Sequence, residues 1–280
     1  MGSGAGFRAH AFVLAHDPAG QTVQIYNSTT RTFSPVQTDK SSADNAQLVA
    51  TYRLDEGKSF IAGISHKTRF PTLKERFSGG LGSVIPNPGL DPETALHYEI
   101  GYQQKGANWG AKLALFQSNL HDAIQSITVA PTCAVSPCTQ LQNIGKQRNR
   151  GVELSFDYAP VNVLQLSGQV NVVDIDNVSD PTIKPLGSPQ YKYMLAADWQ
   201  FLQEWRLRVD AQHESKRYSN STGTRVAGSF TLANAFVRFT PIERLGLELG
   251  VRNATDELYA YEEGFFEAGR TWLAQMDYRY

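Results

Sequence analysis

Over most of the chain, apolar and polar side chains alternate one by one in runs of about ten residues, and this period of two constrains the fold more than any other feature. In the closing run Trp272, Ala274, Met276, Tyr278 and Tyr280 share one face, and Leu273, Gln275, Asp277 and Arg279 the other. Val152, Leu154, Phe156 and Tyr158 likewise oppose Glu153, Ser155 and Asp157. Tyr191, Tyr193, Leu195, Ala197 and Trp199 form another apolar stripe, as do Trp205, Leu207, Val209 and Ala211, and Leu96, Tyr98, Ile100 and Tyr102. Ten extended residues at about 3.3 Å each, tilted near 45°, cover roughly the apolar thickness of an outer membrane. Strands of a soluble sandwich are shorter, about five or six residues. The polar stripes are strongly charged, and Tyr158, Tyr191, Trp199, Trp205, Tyr278 and Tyr280 sit near strand ends, where a membrane barrel places its aromatic girdles. The expected fold is all-β, a transmembrane antiparallel up-and-down β-barrel.

Bulk composition conceals such a fold, because a barrel is apolar on one face only. The 280 residues carry 26 basic and 27 acidic side chains, a net charge of −1, with none of the basic excess of a nucleic-acid-binding domain. No run approaches the roughly 18 apolar residues of a membrane helix. The opening MGSGAGFRAH has no basic region followed by an apolar core, so it does not read as a signal peptide.

Connections alternate between short and long. DPAG (17–20), LDEGK (54–58), QKGANW (104–109), YAPVN (158–162), QFLQEW (200–205) and TPIERL (240–245) are short; the stretches near 28–45, 67–94, 119–145, 175–189, 215–228 and 255–268 are long. Bacterial barrels keep tight turns on the periplasmic side and long loops outside. The pattern yields about thirteen strands, including one over 21–33. Thirteen is odd, and single-chain bacterial barrels have even counts. The expectation is therefore that the chain starts outside the cell and that N-terminal strands of a larger barrel are missing.

Several motifs resemble one family. The segment around Arg69, Phe70, Pro71, Thr72, Leu73, Glu75, Arg76 and Phe77 continues through Asn87, Pro88, Leu90, Pro92 and Glu93 to Tyr98, Glu99 and Gly101. It resembles the R-F-P-T-L-x-E-R-F … N-P-x-L-x-P-E … Y-E-x-G passage of TonB-dependent outer-membrane receptors. Pro71, Pro86, Pro88 and Pro92 cannot donate ladder hydrogen bonds, so they end a strand and stiffen a loop whatever the family. Asn143, Gly145, Gly151 and Glu153 are similar to the family's N-x-G … G-x-E strand. Asn253, Asp256, Tyr259, Gly269 and Arg270 are similar to its ending, although the last residue is Tyr280 where such barrels usually end in Phe.

The resemblance implies residues 1–280 as the C-terminal portion of a barrel of roughly twenty-two strands, in the bacterial outer membrane, without the plug domain. It also implies uptake of a ferric siderophore or similar metal chelate, TonB as a partner through the missing N-terminal part, and membrane insertion through the strand ending at Tyr280. A corrinoid receptor barrel and a plugless passive pore are the alternatives.

Ligand contact is expected from Arg69, Phe70, Arg76, Phe77, Tyr218, Phe265 and Phe266, which place cationic donors and aromatic faces in long loops. The opening motif from Arg69 to Phe77 also reads as structural. Cys133 and Cys138, close together in a loop of an oxidising compartment, read as a local disulfide rather than a metal pair. Asp174, Asp176, Asn177 and Asp180 include calcium-type ligands but lack the glycine and distal glutamate of an EF-hand, so a solvated loop is the simpler reading. His213, Glu214 and Ser215 are the only local cluster with catalytic residue types, and adjacent strand residues point to opposite faces. No catalytic site, cofactor or metal centre is expected, and the protein does not read as an enzyme.

Overall fold

In the computed structural model residues 6–16, 23–27, 32–36, 43–129 and 137–280 are described, with side chains from residue 43 onward except at residue 81. Twelve strands form one antiparallel sheet in which each pairs with the next. They are β1 (Gly6–His16), β2 (Ala43–Arg53), β3 (Lys58–Arg69), β4 (Glu93–Lys105), β5 (Trp109–His121) and β6 (Gln147–Val161), then β7 (Leu164–Asn177), β8 (Tyr191–Leu202), β9 (Trp205–Glu214), β10 (Phe230–Ile242), β11 (Leu245–Arg252) and β12 (Thr271–Tyr278). Among the described residues no pairing joins β12 back to β1.

The register carries one apolar stripe across the sheet. Ile100 lies opposite Leu115, Leu115 opposite Val152, and Leu154 opposite Val170. Val170 then faces Tyr193, Leu195 faces Ala211, Val237 faces Leu249, and Leu249 faces Ala274. Leu195 is 57% exposed, Leu249 67% and Met276 71%. A soluble monomer rarely exposes apolar patches beyond a few hundred Å², whereas the outward face of a membrane barrel is apolar by design. Rings belt the stripe at the short-turn end, with Phe60–Tyr102 centroids 5.0 Å apart and Trp205–Phe239 4.5 Å. At the loop end Tyr193 stacks on Tyr191 at 6.4 Å and on His213 at 5.9 Å. Gly168 leaves room for the Phe156 ring from the next strand: a Cβ there would stand 2.3 Å from Phe156 Cε1.

The opposite face is a charged wall. Arg206 pairs there with Asp198 at 2.8 Å and Arg238 with Asp277 at 2.7 Å, while Arg148–Asp176 at 2.8 Å and Arg150–Asp174 at 2.7 Å lie on the face of Val152 and Leu154, beyond the stripe at its loop end. The first two pairs bridge β8 to β9 and, across β11, β10 to β12 on the side that a barrel turns to its lumen.

Two expectations need correction. Residues 21–33 do not cross with the sheet; Val23–Asn27 and Thr32–Val36 pair with each other, and β1 pairs directly with β2. A hairpin in a long connection alternates as a membrane strand does, but the polar run Asn27, Ser28, Thr29, Thr30 is a turn signal inside it. Among the described residues the count is therefore twelve, and the parity reasoning for missing strands lapses. With Gly6 opposite Arg53, β1 begins at the short-turn end rather than outside. The expected turn at 17–20 lies outside the described residues. The second correction concerns residues 174–177, which are not loop: β7 runs through Asn177, and its acids face arginines of β6.

Candidate functional site in the loop cap

The loop after β3 is organised by its first cation. Arg69 Nε donates to Glu93 Oε1 at 2.7 Å, and Nη1 to Glu75 Oε1 at 2.9 Å, so one guanidinium ties the ends of β3 and β4 to helix α1 (Leu73–Phe77). Thr72 and Glu75 cap that helix reciprocally: Glu75 N donates to Thr72 Oγ1 and Thr72 N to Glu75 Oε2. Arg76 Nη2 donates to Leu90 O at 2.7 Å. Burial pushes the Glu75 carboxyl up, but Thr72's N–H and Arg69 outweigh it and hold the group below the ordinary glutamate range.

A carboxyl lowered in the folded state stabilises above its unfolded pKa and loses that contribution as pH falls through the folded value. The protection factors of the Thr72 and Glu75 amides, taken against the intrinsic exchange rate at each pH, should therefore hold at neutral pH and fall only below the ordinary glutamate range. Thr72→Ala should weaken the cap by about 1 kcal/mol at all pH values.

The remaining loops are stitched to this one and to each other. Asn87 Nδ2 donates to Leu141 O at 2.9 Å, and Asn143 Nδ2 donates to Asp91 O and Asp122 O. Val84–Ile85, Thr139–Asn143 and Ile124–Thr128 form a small sheet between the loops. Gln125 Nε2 donates to Lys184 O at 2.8 Å, Thr128 N to Ser221 Oγ at 3.1 Å, and Lys184 N to Ser221 O at 2.8 Å. Glu263 N donates to Ser219 Oγ at 2.9 Å, and Arg225 Nε to Glu263 Oε2 at 2.5 Å. The five connections after β3, β5, β7, β9 and β11 thus make one cap.

A buried ion cluster seats the cap on the wall. Glu214, 3% exposed at the head of β9, accepts from Arg217 Nη2, from Lys192 Nζ at 2.9 Å and from Gln212 Nε2 at 2.7 Å. Arg217, 7% exposed, lies over the rings of Tyr261 at 5.2 Å and Phe230 at 5.8 Å. Charges taken from water need such paired and stacked partners.

Within the cap lies a cavity of about 700 Å³, bordered by Ser126, Thr128, Thr139, Leu186, Tyr218, Ser219, Ser221, Thr222, Thr224, Arg225 and Tyr261. A neighbouring cavity of about 400 Å³ takes in Lys184, Lys216, Arg217 and the other side of Tyr218. Both volumes fall in the range of small-molecule sites.

Of the seven residues expected to meet a ligand, Tyr218 lines both cavities. Arg69 and Arg76 hold loop geometry, and Phe70 and Phe77 are half-buried beside them. Phe265 and Phe266, 66% and 65% exposed, form the return strand of a short hairpin with Ala260–Glu262. Sequence reading missed the hydroxyl wall, although the run Ser219, Asn220, Ser221, Thr222, Gly223, Thr224 signals it in plain composition. It also missed the five-residue helix, announced by the Thr72–Glu75 capping-box spacing.

Cys138 is buried and disulfide-bonded, while Cys133 lies outside the described residues. Asp180, the last of the calcium-type residues, accepts from Thr182, which holds it below the ordinary carboxylate range. No group of three or more His, Cys, Asp or Glu that could hold a metal ion occurs among the described residues. His213 Nδ1 bonds Thr231 Oγ1 on the lipid-facing side, Glu214 turns to Arg217, and Ser215 Oγ accepts from Tyr191 N, so the three do not converge.

A sheet with an exposed apolar face, a charged opposite wall, tight turns at one end and a loop cap with a small-molecule-sized cavity at the other has the make-up of an outer-membrane β-barrel wall. Residues 18–254 match the family model described as TonB dependent receptor-like, beta-barrel. The chain belongs to that family of outer-membrane receptors and transporters, whose members are not enzymes. It is 23% identical over 252 residues to the iron-regulated outer membrane virulence protein of Vibrio cholerae serotype O1, covering 82% of this chain and 38% of that one. Among solved structures it is similar to the ferric-catecholate import receptor Fiu of E. coli K12, with TM-score 0.71, 15% identity, and 97% and 42% of the two chains covered. A ferric enterobactin receptor from Pseudomonas aeruginosa gives TM-score 0.69 at 18% identity, covering 85% and 40%. The chain thus spans well under half the length of the relatives it matches.

Proposed function

We propose that the chain supplies barrel wall and outer loops to a receptor that takes up a ferric siderophore or similar metal chelate, held by the loop cap and driven by TonB. The observation that carries this reading is the stitched cap with its 700 Å³ cavity above a wall of this family. The iron-regulated and ferric-chelate names of its relatives support it. Tyr218 meets the ligand in the cavity, Phe265 and Phe266 offer the aromatic approach from outside, and the clamp from Arg69 to Phe77 shapes the rim. Outer-membrane lipid covers the apolar stripe, and the barrel assembly machinery takes the strand that leads to Tyr280. A disulfide between Cys133 and Cys138 holds the loop after β5.

The test is uptake of radio-iron chelate by iron-starved cells that carry the gene in its natural reading frame and no other receptor for that chelate. Uptake should vanish when TonB is deleted or the proton gradient is collapsed. Uptake that survives both treatments would mean a passive pore and would overturn the receptor reading.

A further inference from the structure

The charge state of the large cavity is unlike that of a site built for a polyanion. Arg225 is its one cationic lining residue among the described residues, and it is already engaged: Nε on the Glu263 carboxylate and Nη2 on Glu263 O at 2.8 Å. Glu262 lines the same space. Lys184 and Lys216 belong to the neighbouring cavity, and Arg217 is spent on Glu214. What the wall offers instead is neutral hydroxyl. Ser219 Oγ and Ser221 Oγ each accept a backbone N–H, from Glu263 and Thr128, which fixes the oxygen and leaves its own proton to donate. Ser221 is 5% exposed, so its hydroxyl is largely desolvated. Tyr218 and Tyr261 add aromatic surface.

From this geometry we infer that the cavity takes an uncharged, carbonyl-rich metal chelate of the tris-hydroxamate kind and excludes a multiply anionic one of the tris-catecholate kind. The inference rests on the iron-chelate reading above. It departs from the ferric-catecholate receptors whose fold the chain shares. Three hydroxamate monoanions cancel the charge of ferric iron and leave oxygen acceptors at the surface of the complex. Three catecholate dianions leave a trianion, which would meet Glu262 with no unpaired cation among the described lining residues to receive it.

The experiment is calorimetric titration of the detergent-refolded full chain with a ferric tris-hydroxamate and a ferric tris-catecholate, strand content being checked by circular dichroism first. The hydroxamate complex should bind at least about tenfold more tightly. Glu263→Gln, which removes the carboxylate charge that offsets Arg225 while leaving its backbone contact, should raise affinity for the catecholate complex by about threefold or more, with the hydroxamate complex little changed. Ser221→Ala should weaken the hydroxamate complex alone. Tighter binding of the catecholate complex, or indifference to Glu263→Gln, would overturn the charge inference and leave the chelate reading standing. Binding of neither complex by the folded chain would overturn both.

Discussion

Replacing Glu214 by alanine should destabilise the folded barrel wall by about 3–5 kcal/mol, the usual cost of leaving a buried charge without its partner. Arg217 is 7% exposed and would lose its carboxylate while still pinned over Tyr261 and Phe230. Lys192 would lose the same partner, but its side chain is 49% exposed and water would compensate it. Lys192→Met should therefore cost no more than about 1 kcal/mol, as a screened surface pair does. The measurement is the urea midpoint of the refolded chain in lipid vesicles, followed by tryptophan fluorescence. Equal, small losses in the two variants would show that the Glu214 cluster is solvated. Glu214→Gln retains a hydrogen-bonding side chain and should fall between wild type and alanine.

A second large effect follows from the two faces of β8. Leu195 is 57% exposed and lies between the Tyr191–Tyr193 belt and Trp199, at the middle of the lipid-covered stripe. Leu195→Arg should cost about 2–4 kcal/mol, as arginine does near the bilayer midplane of a β-barrel. Met194 points the other way, opposite Gln169 and Gln212 on the charged wall. Met194→Arg should cost far less, since that side is hydrated. Folding titrations in vesicles distinguish the two; equal penalties would contradict the assignment of faces.

The wall was legible because its determinants are local. Alternation across Tyr191–Trp199 or Trp205–Ala211 follows directly from the pleat, and turns such as the one at 54–57 are written in adjacent residues. Residues 21–33 misled because alternation records extended backbone and not the partner strand. Val23–Asn27 satisfies its hydrogen bonds within a loop hairpin and leaves the same trace as a membrane strand. The cap was hidden for a different reason. Thr128 meets Ser221 across 93 positions and Asn87 meets Leu141 across 54, and nothing local encodes either pairing. Arg69 and Arg76 were legible as loop cations, but their acceptors, Glu93 and Leu90 O, decide that they shape the loop.

The stitching of the five loops bears on how this outer surface can change. Each connection borrows donors or acceptors from its neighbours: Ser221 serves Thr128 and Lys184 together, and Asn143 holds both Asp91 and Asp122. A single loop transplanted onto another barrel would arrive without the groups that give it form. The surface seen from outside the cell is a composite, so its antigenic sites are assembled from distant stretches of chain. Drift in one loop is constrained by the others, and the cap varies as a unit or not at all.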